Sequence, residues 1–140
     1  LNCALGLSQL KRLSASINKR HKIANMYKKE LQNIPHISFP KHSFSNKYNA
    51  WHLFTILIDF KKLKINKRDF MKKLMAKGIG TQVHYIPLFL QPIYREVNLK
   101  LYKGTMDYYE KNLSLPMYVS LKLNDVKYIT GIIKKIFNNN

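Results

Sequence analysis

Leu10, Leu13, Ile17, Ala24, Tyr27, Leu31 and Ile34 recur at steps of three, four or seven residues. That spacing lays one apolar stripe along a helix. Lys11, Lys19, Lys22, Lys28 and Lys29 fall largely off the stripe, so the pattern predicts a long helix over 1–34. Pro35 ends it, because the residue before a proline resists the α region. The first turns, LNCALGLSQL, are nearly uncharged and are expected to be buried against a partner surface.

A polar, turn-rich stretch follows, HISFPKHSFSNKYN. AWHLFTILIDF then carries apolar residues on both faces, which predicts a central strand. Asn66 is placed to cap the next helix, with Asp69 three residues on favouring its positive end. Phe70, Met71, Leu74 and Met75 form that helix's apolar face, and Gly78 stands where a left-handed residue would stop it. The pattern next predicts a second strand from Ile79 to about Tyr85, a short helix near Thr105 to Leu113, and a C-terminal helix capped by Asn124. Val126, Ile129, Ile133 and Ile136 share one face of that last helix, and the tail FNNN is expected to fray. No repeat and no linker long enough to divide the chain is present, so residues 1–140 read as a single small α/β domain.

One segment stands apart from the lysine, leucine and isoleucine around it: GIGTQVHYIPLFLQP, residues 78 to 92. Side chains alternate faces along a strand. Ile79, Thr81, Val83 and Tyr85 would share a mostly core-like face, while Gly80, Gln82 and His84 would share the other. An amide and an imidazole beside a glycine suit a cleft at a strand end, and Pro87 and Pro92 stiffen the exit. The competing reading is a histidine satisfied at a strand end within the protein.

Composition narrows the classes. Hydrophobic residues make up 46% of the chain, which is long enough to bury a core. No apolar run approaches the ~20 residues of a membrane span, and the first residues lack a signal-peptide layout. Cys3 is the single cysteine, which excludes an internal disulfide or a cysteine metal site and fits a reducing cytoplasm. Net charge is +18, from 25 Lys and Arg against seven Asp and Glu. Such a charge admits a nucleic-acid or polyanion-binding domain. Against that, four of the basic residues are arginines, Arg12, Arg20, Arg68 and Arg95, and the lysines are scattered. Abundant Lys, Asn and Ile are also what an A+T-rich coding sequence produces.

Other candidate chemistry is thin. His21, His36, His42 and His52 show no metal-ligand spacing. There is no nucleophile elbow and no glycine-rich phosphate loop. Asp59, Asp69, Asp107 and Glu110 read as caps and helix-surface charges, and Tyr108 and Tyr109 as packing residues.

Four blocks in order, ALGLSQLKRL, HLFTILID, GIGTQVHYIPLFLQPIY and YYEKNLSLPMY, cover essentially the whole chain. In them the sequence resembles the C-terminal part of the DegT/StrS-type nucleotide-sugar aminotransferases, among them the UDP-4-amino-4,6-dideoxy-N-acetyl-β-L-altrosamine transaminases. The resemblance implies the small C-terminal domain of a fold type I pyridoxal-phosphate transferase: a long N-terminal connecting helix, 1–34, and a small, mainly antiparallel sheet packed with helices. It implies a parent enzyme that moves an amino group from glutamate to a 4-keto nucleotide-sugar for glycan precursors, with pyridoxal phosphate as cofactor. The parent would be a cytoplasmic homodimer, with neither a membrane nor nucleic acid as partner. The family's cofactor lysine lies upstream of the position matching Leu1, in a large domain that would be this chain's missing partner. No cofactor is therefore expected on the chain alone, nor transamination by it. By position, Gln82, His84 and Tyr85 would face the nucleotide-sugar; no catalytic, cofactor-binding or metal residue is implied.

Overall fold

The computed structural model describes residues 1–41, 49–94 and 98–139. Part of the turn-rich stretch (42–48, with His42), Arg95 and the final Asn140 lie outside the described residues.

The predicted long helix is α1, Asn2–Leu31. It ends four residues before Pro35, with the Gln32 N–H still donating to the Lys28 carbonyl. The stripe divides in two. Ile23, Ala24, Tyr27 and Leu31 are buried, whereas residues 1–15 are exposed throughout. Leu10, on the same stripe, is 63% exposed.

The core strand is β2, Phe54–Ile58, with Phe54, Ile56 and Ile58 buried and Thr55 and Leu57 partly so. It is central, as predicted, among the described strands. β1 (Ile37–Ser38) and β3 (Asn112–Leu115) flank it in an antiparallel sheet ordered β1-β2-β3. Ile37 pairs with Ile58, and Phe54 pairs with Leu115. Both flanking strands were missed by periodicity. β1 is two residues long and lies in the polar stretch, and β3 follows a helix without a turn signal.

α2, Lys67–Met75, begins as its sequence says: the Asn66 side chain accepts from the Asp69 N–H at 2.8 Å. Phe70 and Leu74 are buried and Met71 partly so, but Met75 is exposed, because it sits at the edge of the apolar face. Gly78 has φ 74°. Its N–H donates to the Met75 carbonyl at 2.9 Å, and the Ile79 N–H reaches back to Leu74 at 3.0 Å. That pair of bonds closes a helix around a left-handed residue, a conformation glycine adopts without steric cost.

Two predicted elements change form. The short helix is α3, Lys103–Lys111, and Leu113 belongs to β3. Before α3, single 3₁₀ turns cover Leu88–Leu90 and Leu99–Tyr102. The second strand over 79–85 is not a strand: a single bridge joins Gln82 to Ser114 of β3. The C-terminal helix, α4 (Leu123–Asn138), starts before Asn124, because the Asp125 carboxylate accepts from the Lys122 N–H at 3.1 Å and sets the first turn there.

The core lies where the buried half of α1, α2, α4 and the sheet meet. Tyr27 stacks on Phe54 at 4.8 Å between ring centres, and its hydroxyl donates to the Pro116 carbonyl at 3.1 Å. Burial pushes the Tyr27 phenol well above its usual pKa, with the nearby Tyr118 and Asp125 adding to the shift. Lys134 on α4 pairs with Glu30 on α1 at 2.7 Å. Among the described residues, no helix is long and apolar enough to cross a membrane.

Candidate functional site

The site is built on β3. Its side chains alternate, Leu113 and Leu115 pointing one way and Asn112 and Ser114 the other. All four are buried, so the two polar residues need partners inside the protein. Ser114 stands opposite Thr55 in the sheet, their hydroxyls 3.2 Å apart. On its other side Ser114 exchanges both backbone bonds with Gln82, at 2.8 and 3.2 Å. Two residues past this bridge, His84 Nδ1 lies 3.0 Å from the Ser114 hydroxyl. The Asn112 amide donates to the His84 carbonyl at 3.1 Å.

Gln82 and His84 are thereby brought together. With His52, Gly80, Ser114, Pro116 and Met117 they line an open pocket of about 180 Å³. The His84 ring is half-buried, and its Nε2 has no hydrogen-bond partner among the described residues. The imidazole is therefore anchored through Nδ1 to β3. The predicted alternation survives through Thr81, with Ile79 and Thr81 buried and Gly80 and Gln82 exposed. It fails at Tyr85, which is 75% exposed. With no strand partner beyond Gln82, nothing holds Tyr85 to the core face. The His84–Tyr85 peptide is cis, and the Tyr85 ring stands edge-on to the imidazole at 4.8 Å. Tyr85 does not line the pocket.

Three residues escaped the sequence reading: His52, Asn112 and Ser114. His52 has no metal-ligand spacing in the sequence, and no cluster of metal-ligating side chains occurs among the described residues. It reaches the pocket because the chain turns beside it at Trp51, which has φ 49°. For Asn112 and Ser114 a signal was present, since NLSL ahead of a proline alternates polar and apolar with the period of a strand.

A pyridoxal group needs an amine that can form an imine, an acid for the ring nitrogen and donors for the phosphate. The pocket's described lining has neither lysine nor carboxylate. Burial lowers the pKa of Lys67 below its usual range, and Glu110 partly offsets the shift. Yet its amine is engaged elsewhere, donating to the Tyr109 carbonyl, lying 3.5 Å from Asn112 Oδ1 and sitting 4.8 Å from the Tyr109 ring centre. These residues do not form a cofactor site. What they offer is hydrogen-bonding groups at the rim of a pocket.

Comparison with known proteins gives this arrangement its context. The spore coat polysaccharide biosynthesis protein SpsC of Bacillus subtilis is 34% identical over 97% of this chain and 36% of its own length. A UDP-4-amino-4,6-dideoxy-N-acetyl-β-L-altrosamine transaminase of Campylobacter jejuni is 35% identical over 96% of this chain and 35% of its own length. Among solved structures, Helicobacter pylori PseC, an aminotransferase involved in the biosynthesis of pseudoaminic acid, superposes with a TM-score of 0.84 at 30% identity. That superposition covers 98% of this chain and 37% of PseC. The fold is therefore that of the small domain of a pyridoxal-phosphate aminotransferase. The model of the DegT/DnrJ/EryC1/StrS aminotransferase family matches residues 1–134, and the chain belongs to that family, corresponding to its C-terminal part. It spans only about 36% of the length of a relative such as SpsC.

Proposed function

We propose that this chain is the substrate-facing C-terminal domain, residues 1–140, of a nucleotide-sugar aminotransferase that takes its amino group from glutamate and makes glycan precursors in the cytoplasm. The observation that carries the reading is the half-anchored His84: Nδ1 lies against Ser114, Nε2 has no partner among the described residues, and the residue lines a pocket with Gln82. A ring nitrogen so placed can donate to a phosphate oxygen or a sugar hydroxyl. The Gln82 amide offers a second polar contact, and the exposed Tyr85 ring a surface for stacking or hydrogen bonding. The matched transaminases support a 4-keto sugar on a nucleotide diphosphate as substrate class. Pyridoxal phosphate and its lysine belong, in this reading, to a large N-terminal domain outside the chain. That domain covers the exposed leucines of α1, with 1–34 as the connecting helix, and the enzyme works as a homodimer. The alternative, a polyanion-binding domain, rests on the net charge of +18 and names no site.

The test uses a full-length aminotransferase that carries this chain as its C-terminal part. His84→Asn raises KM for the nucleotide-sugar by an amount worth about 1–3 kcal/mol, the usual cost of a hydrogen bond to a charged or buried group. The cofactor's absorbance is unchanged. An unaltered KM, or loss of folding with no selective effect on the sugar, contradicts the reading. As a control, the 140-residue chain alone traps no cofactor on borohydride reduction. Trapping on one specific lysine would show that the chain carries its own cofactor site.

A further inference from the structure

The geometry points to Asn112 as a positioning residue that acts through His84. This inference rests on the reading that His84 meets the nucleotide-sugar, and extends it to a residue that touches no ligand.

Asn112 is 1% exposed. A buried amide has both a donor and an acceptor to satisfy, and its two ends here face different elements. Oδ1 lies 3.5 Å from the Lys67 ammonium on α2. Nδ2 lies 3.1 Å from the His84 carbonyl. The assignment of the two ends follows from chemistry: an ammonium only donates and a carbonyl only accepts, so the amide fits one way round. Lys67 is itself held by the Tyr109 carbonyl and ring, so the orientation of Asn112 is fixed from behind.

His84 needs such a hold because the chain leaves the sheet just before it. Among the described residues no bridge beyond Gln82 carries the segment, and Tyr85 and Ile86 are exposed. Backbone and ring are instead fixed from one strand. Asn112 takes the carbonyl of His84, and Ser114, two residues on and on the same face of β3, takes Nδ1. With one ring nitrogen and the carbonyl held, the direction of the free Nε2 is set before any ligand arrives. A preoriented donor binds more tightly because less freedom is lost on binding.

The test is a double-mutant cycle in the full-length aminotransferase carrying this chain. Asn112→Ala and Asn112→Asp are each combined with His84→Ala. Asn112→Asp keeps the shape and the Lys67 contact but turns an acceptor toward the His84 carbonyl, which guards against a simple failure of the alanine variant to fold. Each single variant raises KM for the nucleotide-sugar about tenfold, equivalent to one lost hydrogen bond, with cofactor absorbance unchanged. Added to His84→Ala, each produces no further loss, because the coupled residue is gone. Additive losses, or Asn112 variants with unaltered KM while His84→Ala is impaired, overturn the proposal and leave the reading of His84 intact. If His84→Ala itself leaves KM unaltered, that reading fails, and the positioning claim is decided on the 140-residue chain by nuclear Overhauser contacts between the His84 ring and Ser114. Their loss in Asn112→Asp supports positioning; their persistence overturns it.

Discussion

β2 and the segment over 79–85 present themselves in the sequence as two strands, and they part ways in the structure. β2 is paired on both sides, with Phe54, Ile56 and Ile58 buried. The second segment begins in the same manner, with Ile79 and Thr81 buried, then makes one bridge at Gln82 and leaves the sheet. Its next residues are half-buried or exposed. β2 buries one face, Phe54, Ile56 and Ile58, and keeps Thr55 and Leu57 partly buried on the other. The later segment is tied to β3 at Gln82 and His84, and both residues line an open pocket.

The comparison breaks most easily at Phe54. Phe54→Ala removes a buried ring that stacks on Tyr27 and is expected to lower stability by about 3–5 kcal/mol in denaturant unfolding. His84→Asn, outside the core, is expected to cost about 1 kcal/mol or less in the same assay. Equal losses at the two positions would mean that the 79–85 segment is core after all.

A smaller effect probes the frame that carries both regions. The Lys134 hydrogen bond and charge hold the Glu30 carboxyl below its usual range. A carboxyl lowered in the folded state contributes stability above its unfolded pKa, and that contribution is lost as pH falls through the folded value. Lys134 is 42% exposed, so solvent screens the pair and the expected contribution is about 0.5 kcal/mol. Glu30→Gln should therefore reduce stability near neutral pH and show a flatter acid limb. An unchanged acid limb would show that the clamp between α1 and α4 contributes nothing.

Periodicity made much of the fold legible. The cap at Asn66, the stop at Gly78, the central strand and the C-terminal helix follow from local rules that the structure obeys. Where the reading failed, tertiary pairing decided. Ile37–Ser38 becomes strand because it meets β2, and residues 83–85 do not because no further neighbour extends the Gln82 bridge. Leu10 and Ala24 share one stripe, yet one is exposed and the other buried, because a stripe shows which face seeks a partner and not whether this chain contains it. The candidate site was half legible. Gln82 and His84 stood out by their chemistry, while Asn112 and Ser114 serve the site through contacts 28 and 30 residues distant in sequence, which local spacing does not encode.

The most direct test of the comparison is amide hydrogen exchange on a full-length aminotransferase carrying this chain, with and without a UDP-N-acetylhexosamine. Amides of Ile56 and Ile58 should exchange slowly in both states, as expected of a paired central strand. Amides over 83–86 should exchange quickly in the free protein and slow on addition of the nucleotide-sugar. Equal protection of both regions without ligand, or no change over 83–86 at saturating ligand, would contradict the account.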